Sequence, residues 1–171
     1  MTKAPLLDLG GTVLAEQSYD LVSGFYAVSD RLLPNITFAD LCDAIKIGQI
    51  ELSEFSVLNW IKENSLKPEE PTKACDIELA LWENTVSLEP IEGVADALEN
   101  LRYNGVRVGA ISNAIFSSGC ISRELRNHDL LRHFEFVISS ADFGLRKSAT
   151  TIFISASVSY THLTLPTIHL V

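Results

Sequence analysis

The stretch that most limits what this chain can become is its start, Ala4-Pro5-Leu6-Leu7-Asp8-Leu9-Gly10-Gly11-Thr12. An apolar run ends in an aspartate, and two glycines and a threonine then break the backbone. A buried strand of a parallel sheet ends in this way, delivering one carboxylate to the edge where ligands bind in open α/β folds. The glycines let backbone amides approach an anion closely. Asp8 is therefore a nucleophile, a metal ligand or only the end of a strand.

Helical spacing follows over Ser18–Leu33, where Leu21, Val22, Phe25, Val28 and Leu32 share one stripe. Pro34-Asn35 breaks it. Thr37 is the expected N-cap for Phe38–Ile47, and Gly48 is expected to close that helix. Ser53 or a neighbour caps a third helix with Phe55, Leu58, Trp60 and Ile61 apolar. Pro68 and Pro71 precede a fourth, where Ile77, Leu81, Trp82 and Val86 recur at helical intervals. Ser18 to about Ser87 thus reads as an all-helical insertion with no strand signal. Phe25, Phe55, Trp60 and Trp82 are most simply its own core.

The pattern changes at Pro90-Ile91-Glu92-Gly93, a turn leading into an amphipathic helix over Val94–Tyr103 that Asn104-Gly105 stops. Val106–Ile111 reads as a strand ending in Ser112-Asn113, and a helix follows near Ser118–Arg126. Phe134–Ile138 is a third strand, ending in Ser139-Ser140. After the loop Ala141–Arg146 comes Lys147, then a helix from about Ala149. This alternation predicts an α/β fold with a parallel sheet and right-handed connections. His128 and His133 lie in a polar helix-loop stretch and read as surface residues.

Composition narrows the function classes. A chain of 171 residues, 47% hydrophobic and 20% charged, suits one globular domain with a modest insertion. Its net charge of −9 without a basic cluster argues against nucleic-acid binding. The scattered Cys42, Cys75 and Cys120 read as reduced thiols rather than a disulfide frame or a zinc site. With no export signal and no apolar run long enough for a bilayer, a cytoplasmic location without a membrane partner is expected.

Asp8, Ser112 and Lys147 each follow an apolar strand or the loop beyond one, so all three can converge on one sheet edge. Separately, each has a plainer reading: Asp8 as a turn residue, Ser112 as a helix cap, Lys147 as a solvated lysine. Together they suit phosphoryl transfer. A carboxylate attacks phosphorus, a hydroxyl and an ammonium bind the phosphoryl oxygens, and a divalent cation screens the two anions.

These segments resemble a family. Leu6-Leu7-Asp8-Leu9-Gly10-Gly11-Thr12, Val108-Gly109-Ala110-Ile111-Ser112-Asn113 and Phe143-Gly144-Leu145-Arg146-Lys147 look like the first three motifs of the haloacid dehalogenase superfamily. Pro90-Ile91-Glu92-Gly93-Val94 matches its run-in to the second motif, and the likeness extends over about Leu6–Phe153. The resemblance implies a Rossmannoid parallel three-layer α/β sandwich with an inserted α-helical cap. Residues 1–15 and 88–156 would form the core and 16–87 the cap. Asp8 would be the nucleophile and a Mg²⁺ ligand, with the Gly10 carbonyl as a second ligand. Ser112 and Lys147 would bind the phosphoryl group, Thr12 would support the nucleophile loop, and Asn113 and Arg146 would adjoin the substrate. The implied activity is Mg²⁺-dependent hydrolysis of a small phosphorylated metabolite.

The sequence departs from the family pattern in two places. The acid/base aspartate expected two residues after the nucleophile is Gly10, and losing such a group costs ~10²–10⁴ in rate. No acidic pair of the fourth motif follows Lys147. Val158-Ser159-Tyr160-Thr161-His162-Leu163-Thr164-Leu165-Pro166-Thr167 looks like a translated transposon adapter from sequencing libraries, so residues 157–171 are expected to be a non-native tail. On that expectation the sheet is unfinished, lacking the strand of the fourth motif. Leu6 and Leu7 would line an exposed edge, and the chain would be inactive and poorly soluble. Two alternatives remain: a non-catalytic relative that binds a phosphorylated ligand, favoured by Gly10, and an actin-like-fold sugar kinase, disfavoured because Ala15–Leu33 reads as helix.

Overall fold

The computed structural model describes residues 5–50, 55–66, 71–147 and 149–159. Leu6–Leu7 form β1, and a six-residue loop separates it from β2 (Leu14–Tyr19). Four helices follow: α1 (Leu21–Tyr26), α2 (Phe38–Ile50), α3 (Val57–Asn64) and α4 (Pro71–Thr85). The chain continues through β3 (Val86–Pro90), α5 (Val94–Tyr103) and β4 (Val108–Ser112). Among the described residues, α6 (Ser118–Asn127), β5 (Phe134–Ser139) and α7 (Thr150–Ser159) follow.

Among the described strands, β1, β4 and β5 form a parallel sheet with β4 in the middle. The central strand is buried at every residue, as its unbroken small and apolar sequence requires. Successive residues face opposite ways. Ile111 packs with Ile138, Ile152 and Ala156, beneath α7. Ala110 belongs instead to the larger cluster that includes Leu98 of α5 and Ile121 and Leu125 of α6. This is the parallel, Rossmannoid α/β fold the motifs implied. Gly109 permits close packing on it, because the Phe136 ring occupies the space a Cβ would take. At the sheet edge, Leu6 is 37% exposed while Leu7 is half-buried.

Residues 18–87 are not all helical. β2 and β3 pair antiparallel, from Leu14 opposite Pro90 to Tyr19 opposite Val86, with an irregularity between Glu16 and Ser18. The chain leaves this ribbon at Tyr19 and re-enters it at Val86, so the four helices hang from a two-stranded stem. The Asp20 amide closes its open end by donating to the Thr85 carbonyl at 2.7 Å. Ala15, Glu16 and Gln17 carry little strand propensity, and pairing with a distant segment overrides them.

Smaller differences have equally local causes. Helix α1 starts after its cap Asp20, whose Oδ1 accepts from the Ser23 amide. α2 runs through Gly48 to Ile50. Thr37 caps it as expected, its hydroxyl accepting the Asp40 amide while Asp40 accepts the Thr37 amide in return. Ser56 caps α3, whereas Ser53 and Pro68 lie outside the described residues. α7 continues past Ser157 to Ser159, and the rest of the expected tail, 160–171, lies outside the description.

The helical insertion does not keep its core to itself. Phe25, Trp60 and Trp82 belong to the same buried cluster as Leu9, Ala110 and Leu125, and Phe55 packs against it. Trp82 meets Phe116 edge-on at 5.0 Å, and its indole nitrogen donates to Glu124 of α6 at 3.3 Å. His128 and His133 are not surface residues either. His128 sits half-buried against the Leu88 carbonyl at 3.1 Å, and His133 is buried. Burial pushes the His133 imidazole down, with neighbouring Arg132 adding to the effect.

The tightest helix contact is α1 on α4 at Gly24, where a Cβ would collide with the Thr85 hydroxyl and lie 2.8 Å from the Leu81 carbonyl. The carbonyl belongs to the helix backbone and cannot swing aside. Gly24→Ala should therefore cost about 1–3 kcal/mol through overpacking, read as a lower midpoint in urea denaturation.

Candidate active site

Asp8 follows β1 and is half exposed, its Oδ1 accepting from the Leu9 amide at 2.9 Å. The loop after it coils on Leu9, whose carbonyl receives the amides of Thr12, Val13 and Leu14 at 3.2, 2.9 and 3.0 Å. Leu9 and Val13 are buried and anchor this coil, leaving Gly10, Gly11 and Thr12 at the surface. Only Gly11 needs to be glycine for its backbone, at φ 73°. At Gly10 a Cβ would meet nothing within 4 Å.

The other strand ends arrive beside this loop. Leu7 lies opposite Ala110, so the parallel register carries Asp8 and Ser112 to the same edge. Lys147 extends its ammonium to Asp8 Oδ2 at 2.9 Å. The Lys147 amide donates to Asn113 Oδ1 at 2.7 Å, which links the loop after β5 to the end of β4. Asp8, Asn113 and Lys147 are thus directly connected, and Ser112 stands buried on the strand between them. Among the described residues, no hydrogen bond or ion pair joins the Thr12, Ser112 or Arg146 side chains to the Asp8–Lys147 pair. The Arg146 Nε is buried without a hydrogen-bond partner.

The segment 113–117, which carries Asn113, is held from both sides. From the sheet, Ser140 Oγ accepts the Ala114 amide at 3.0 Å and Ser139 Oγ donates to the Phe116 carbonyl at 2.6 Å. From the helical insertion, the Val57 amide donates to the Ile115 carbonyl at 2.9 Å. Glu78 of α4 accepts the Ser117 amide at 2.8 Å and the Ser117 hydroxyl at 2.7 Å. Asp142 accepts the Ser118 amide at 3.1 Å, so two carboxylates from other elements meet the positive end of α6.

Sequence reasoning missed Glu78 and the two serines. A signal existed for Glu78, which shares a buried stripe with Ala74, Leu81, Trp82 and Thr85 where a charge is out of place. Burial pushes its carboxyl up, opposed by the Ser117 hydrogen bonds and reinforced by Asp142. Burial and the nearby Glu78 charge push the Cys120 thiol up as well.

A parallel α/β sheet that brings Asp8, Ser112 and Lys147 to one edge makes this a Rossmannoid protein. The chain belongs to the haloacid dehalogenase-like hydrolase family, whose sequence profile matches residues 44–160. That match contains Ser112 and Lys147 but starts after Asp8. No curated protein matches the chain. Among solved structures, it resembles CbbY from Rhodobacter sphaeroides in complex with xylulose-(1,5)bisphosphate: 13% identity, 94% of this chain, 73% of that one, TM-score 0.51. It is also similar to a 2-haloacid dehalogenase from Pseudomonas syringae: 17% identity, 94% and 74% of the two chains, TM-score 0.49. A hydrolase from Streptococcus pneumoniae is 20% identical, with 94% and 78% of the chains covered and a TM-score of 0.47.

The raised Glu78 carboxyl has a definite stability consequence. Its contribution is complete below the unfolded carboxyl pKa of about 4.3 and is lost as pH rises through the higher folded value. Glu78→Gln cannot ionise, so its melting temperature should gain on the parent between pH 4 and pH 8, as scanning calorimetry would show. A gap that is constant with pH would contradict a desolvated carboxylate.

Proposed function

We propose that the protein is a Mg²⁺-dependent phosphatase of a small phosphorylated metabolite, working through an aspartyl-phosphate on Asp8. The observation that carries this reading is the 2.9 Å contact of Lys147 with Asp8, at the edge to which β4 brings Ser112. An Asp8 oxygen attacks phosphorus, the bond to the leaving oxygen breaks, and water then hydrolyses the acyl phosphate to restore the carboxylate. Lys147 and the Ser112 hydroxyl bind the phosphoryl oxygens, and Asn113 fixes Lys147 through its backbone amide. Thr12 supports the nucleophile loop, and Arg146, adjoining Lys147, is the candidate for a second contact to substrate.

Among the described residues there is no cluster of three or more metal-ligating side chains. Asp8 and the Gly10 carbonyl would hold Mg²⁺ in its substrate-assisted mode, in which one or two carboxylates join the substrate phosphate and retained waters. Such an ion would screen Asp8 from the phosphoryl oxygens. With one carboxylate and no side chain at position 10 to protonate the leaving group, turnover by this chain should be slow.

In this reading the helices between β2 and β3 form a cap, roughly residues 16–87, over a core of 1–15 and 88–156. The cap excludes water and selects the substrate. The free thiols at Cys42, Cys75 and Cys120 support a cytoplasmic setting. No helix among the described residues is long and apolar enough to cross a membrane. The kinase alternative is not supported by the family match, although Ala15–Tyr19 is strand and not helix. Gly10 favours one second reading, a relative that binds a phosphorylated ligand without turning it over.

Hydrolysis of p-nitrophenyl phosphate with Mg²⁺ separates the two. Asp8→Asn should abolish turnover, and unchanged turnover would remove Asp8 as nucleophile. Gly10→Asp places a carboxylate where a side chain meets open space, and should raise kcat by ~10²–10⁴. A Gly10→Asp protein that binds inorganic phosphate but still does not turn over would favour the binding reading.

A further inference from the structure

The helical insertion reaches the phosphate-binding edge through a buried carboxylate that phosphoryl transfer does not use. Glu78 is 1% exposed, and Ser117 and Cys120 of α6 face it together with Asp142 from the turn after β5. An apolar residue would fill its place on the stripe without the cost of desolvating a charge. It could not, however, hold an N–H and a hydroxyl at once. The Ser117 hydroxyl accordingly does not cap its own helix but turns to Glu78.

We propose that Glu78 is a positioning residue: by holding Ser117 it sets the 113–117 segment, and through Asn113 the lysine that faces Asp8. This rests on the phosphatase reading above. The connections run unbroken from α4 to the nucleophile. Glu78 accepts the Ser117 amide at 2.8 Å, Asn113 at the other end of the segment accepts the Lys147 amide at 2.7 Å, and Lys147 meets Asp8 at 2.9 Å. Val57 of α3 grips the middle of the segment at Ile115, so two helices of the insertion hold it. Seating of the insertion and assembly of the phosphate site are then one event. That coupling gives a cap a direct route to the chemistry, because a loop displaced by about an ångström loses its near-attack geometry.

The test uses the 171-residue chain with inorganic phosphate as the probe, combining titration calorimetry with hydrogen exchange. Glu78→Ala leaves a buried N–H without its acceptor. It should weaken phosphate binding about tenfold and accelerate exchange at Ala114–Ser118 and at the Lys147 amide. Glu78→Gln keeps an acceptor for the amide and offers a donor to Ser117 Oγ, and should restore both readouts. If Glu78→Ala proves unfolded by circular dichroism, Ser117→Ala carries the same test with a smaller shift. Faster exchange with unchanged phosphate affinity would make Glu78 merely structural and overturn the proposal. So would a Glu78→Gln variant as poor as Glu78→Ala. If the parent chain binds no phosphate, the phosphatase reading fails. The positioning link is then judged on the Lys147 amide, whose exchange must rise in Glu78→Ala and recover in Glu78→Gln.

Discussion

The parallel pairing of β1 with β4 is the contact on which the rest of this structure depends. It is short, Leu6 against Gly109 and Leu7 against Ala110, yet it decides that Asp8 and Ser112 leave the sheet at the same edge. Parallel strands cannot be joined by a tight turn, so everything between residues 8 and 107 must depart from this edge and return to the sheet's other end. The long excursion follows from that requirement. It takes the form of a ribbon with helices inserted between its strands, followed by α5, which leads back to β4.

The same geometry explains why the helical insertion and the sheet share a core. The stem of the insertion begins six residues after Asp8, which keeps α1–α4 near the sheet's carboxyl edge. Apolar contact supplies the bulk of the attachment, Trp82 against Phe116 included. Hydrogen bonding supplies the direction. Val57 and Glu78 reach particular backbone groups of the segment after β4, and apolar burial alone would not choose among them.

Charge is distributed sparingly around the site. Lys147 is the cation in contact with Asp8, and the two carboxylates at the start of α6 are occupied by amides. That leaves Asp8 as the one carboxylate that meets Lys147 among the described residues. Gly10 removes a second negative charge from the same loop. An anion approaching Asp8 would therefore meet less repulsion here than in a loop with two aspartates.

Much of this was legible along the chain. Asp8 and Ser112 could be placed because a strand that ends in a polar residue points it at the sheet edge, a local pattern, and Lys147 because its loop follows the apolar strand β5. Helix α5 was readable at both ends, since a turn precedes it and Asn104-Gly105 stops it. What only the tertiary structure decided was non-local. Ala15, Glu16 and Gln17 become strand because Leu88 and Glu89 lie alongside, and no periodicity within 14–19 says so. Glu78 looks like a stray charge on an apolar stripe until Ser117 is brought to it. Sequence by itself determined which groups could act and roughly where each strand ends, because those depend on near neighbours. Which groups meet depended on the fold, because strand register and buried hydrogen bonds join residues that the sequence keeps far apart.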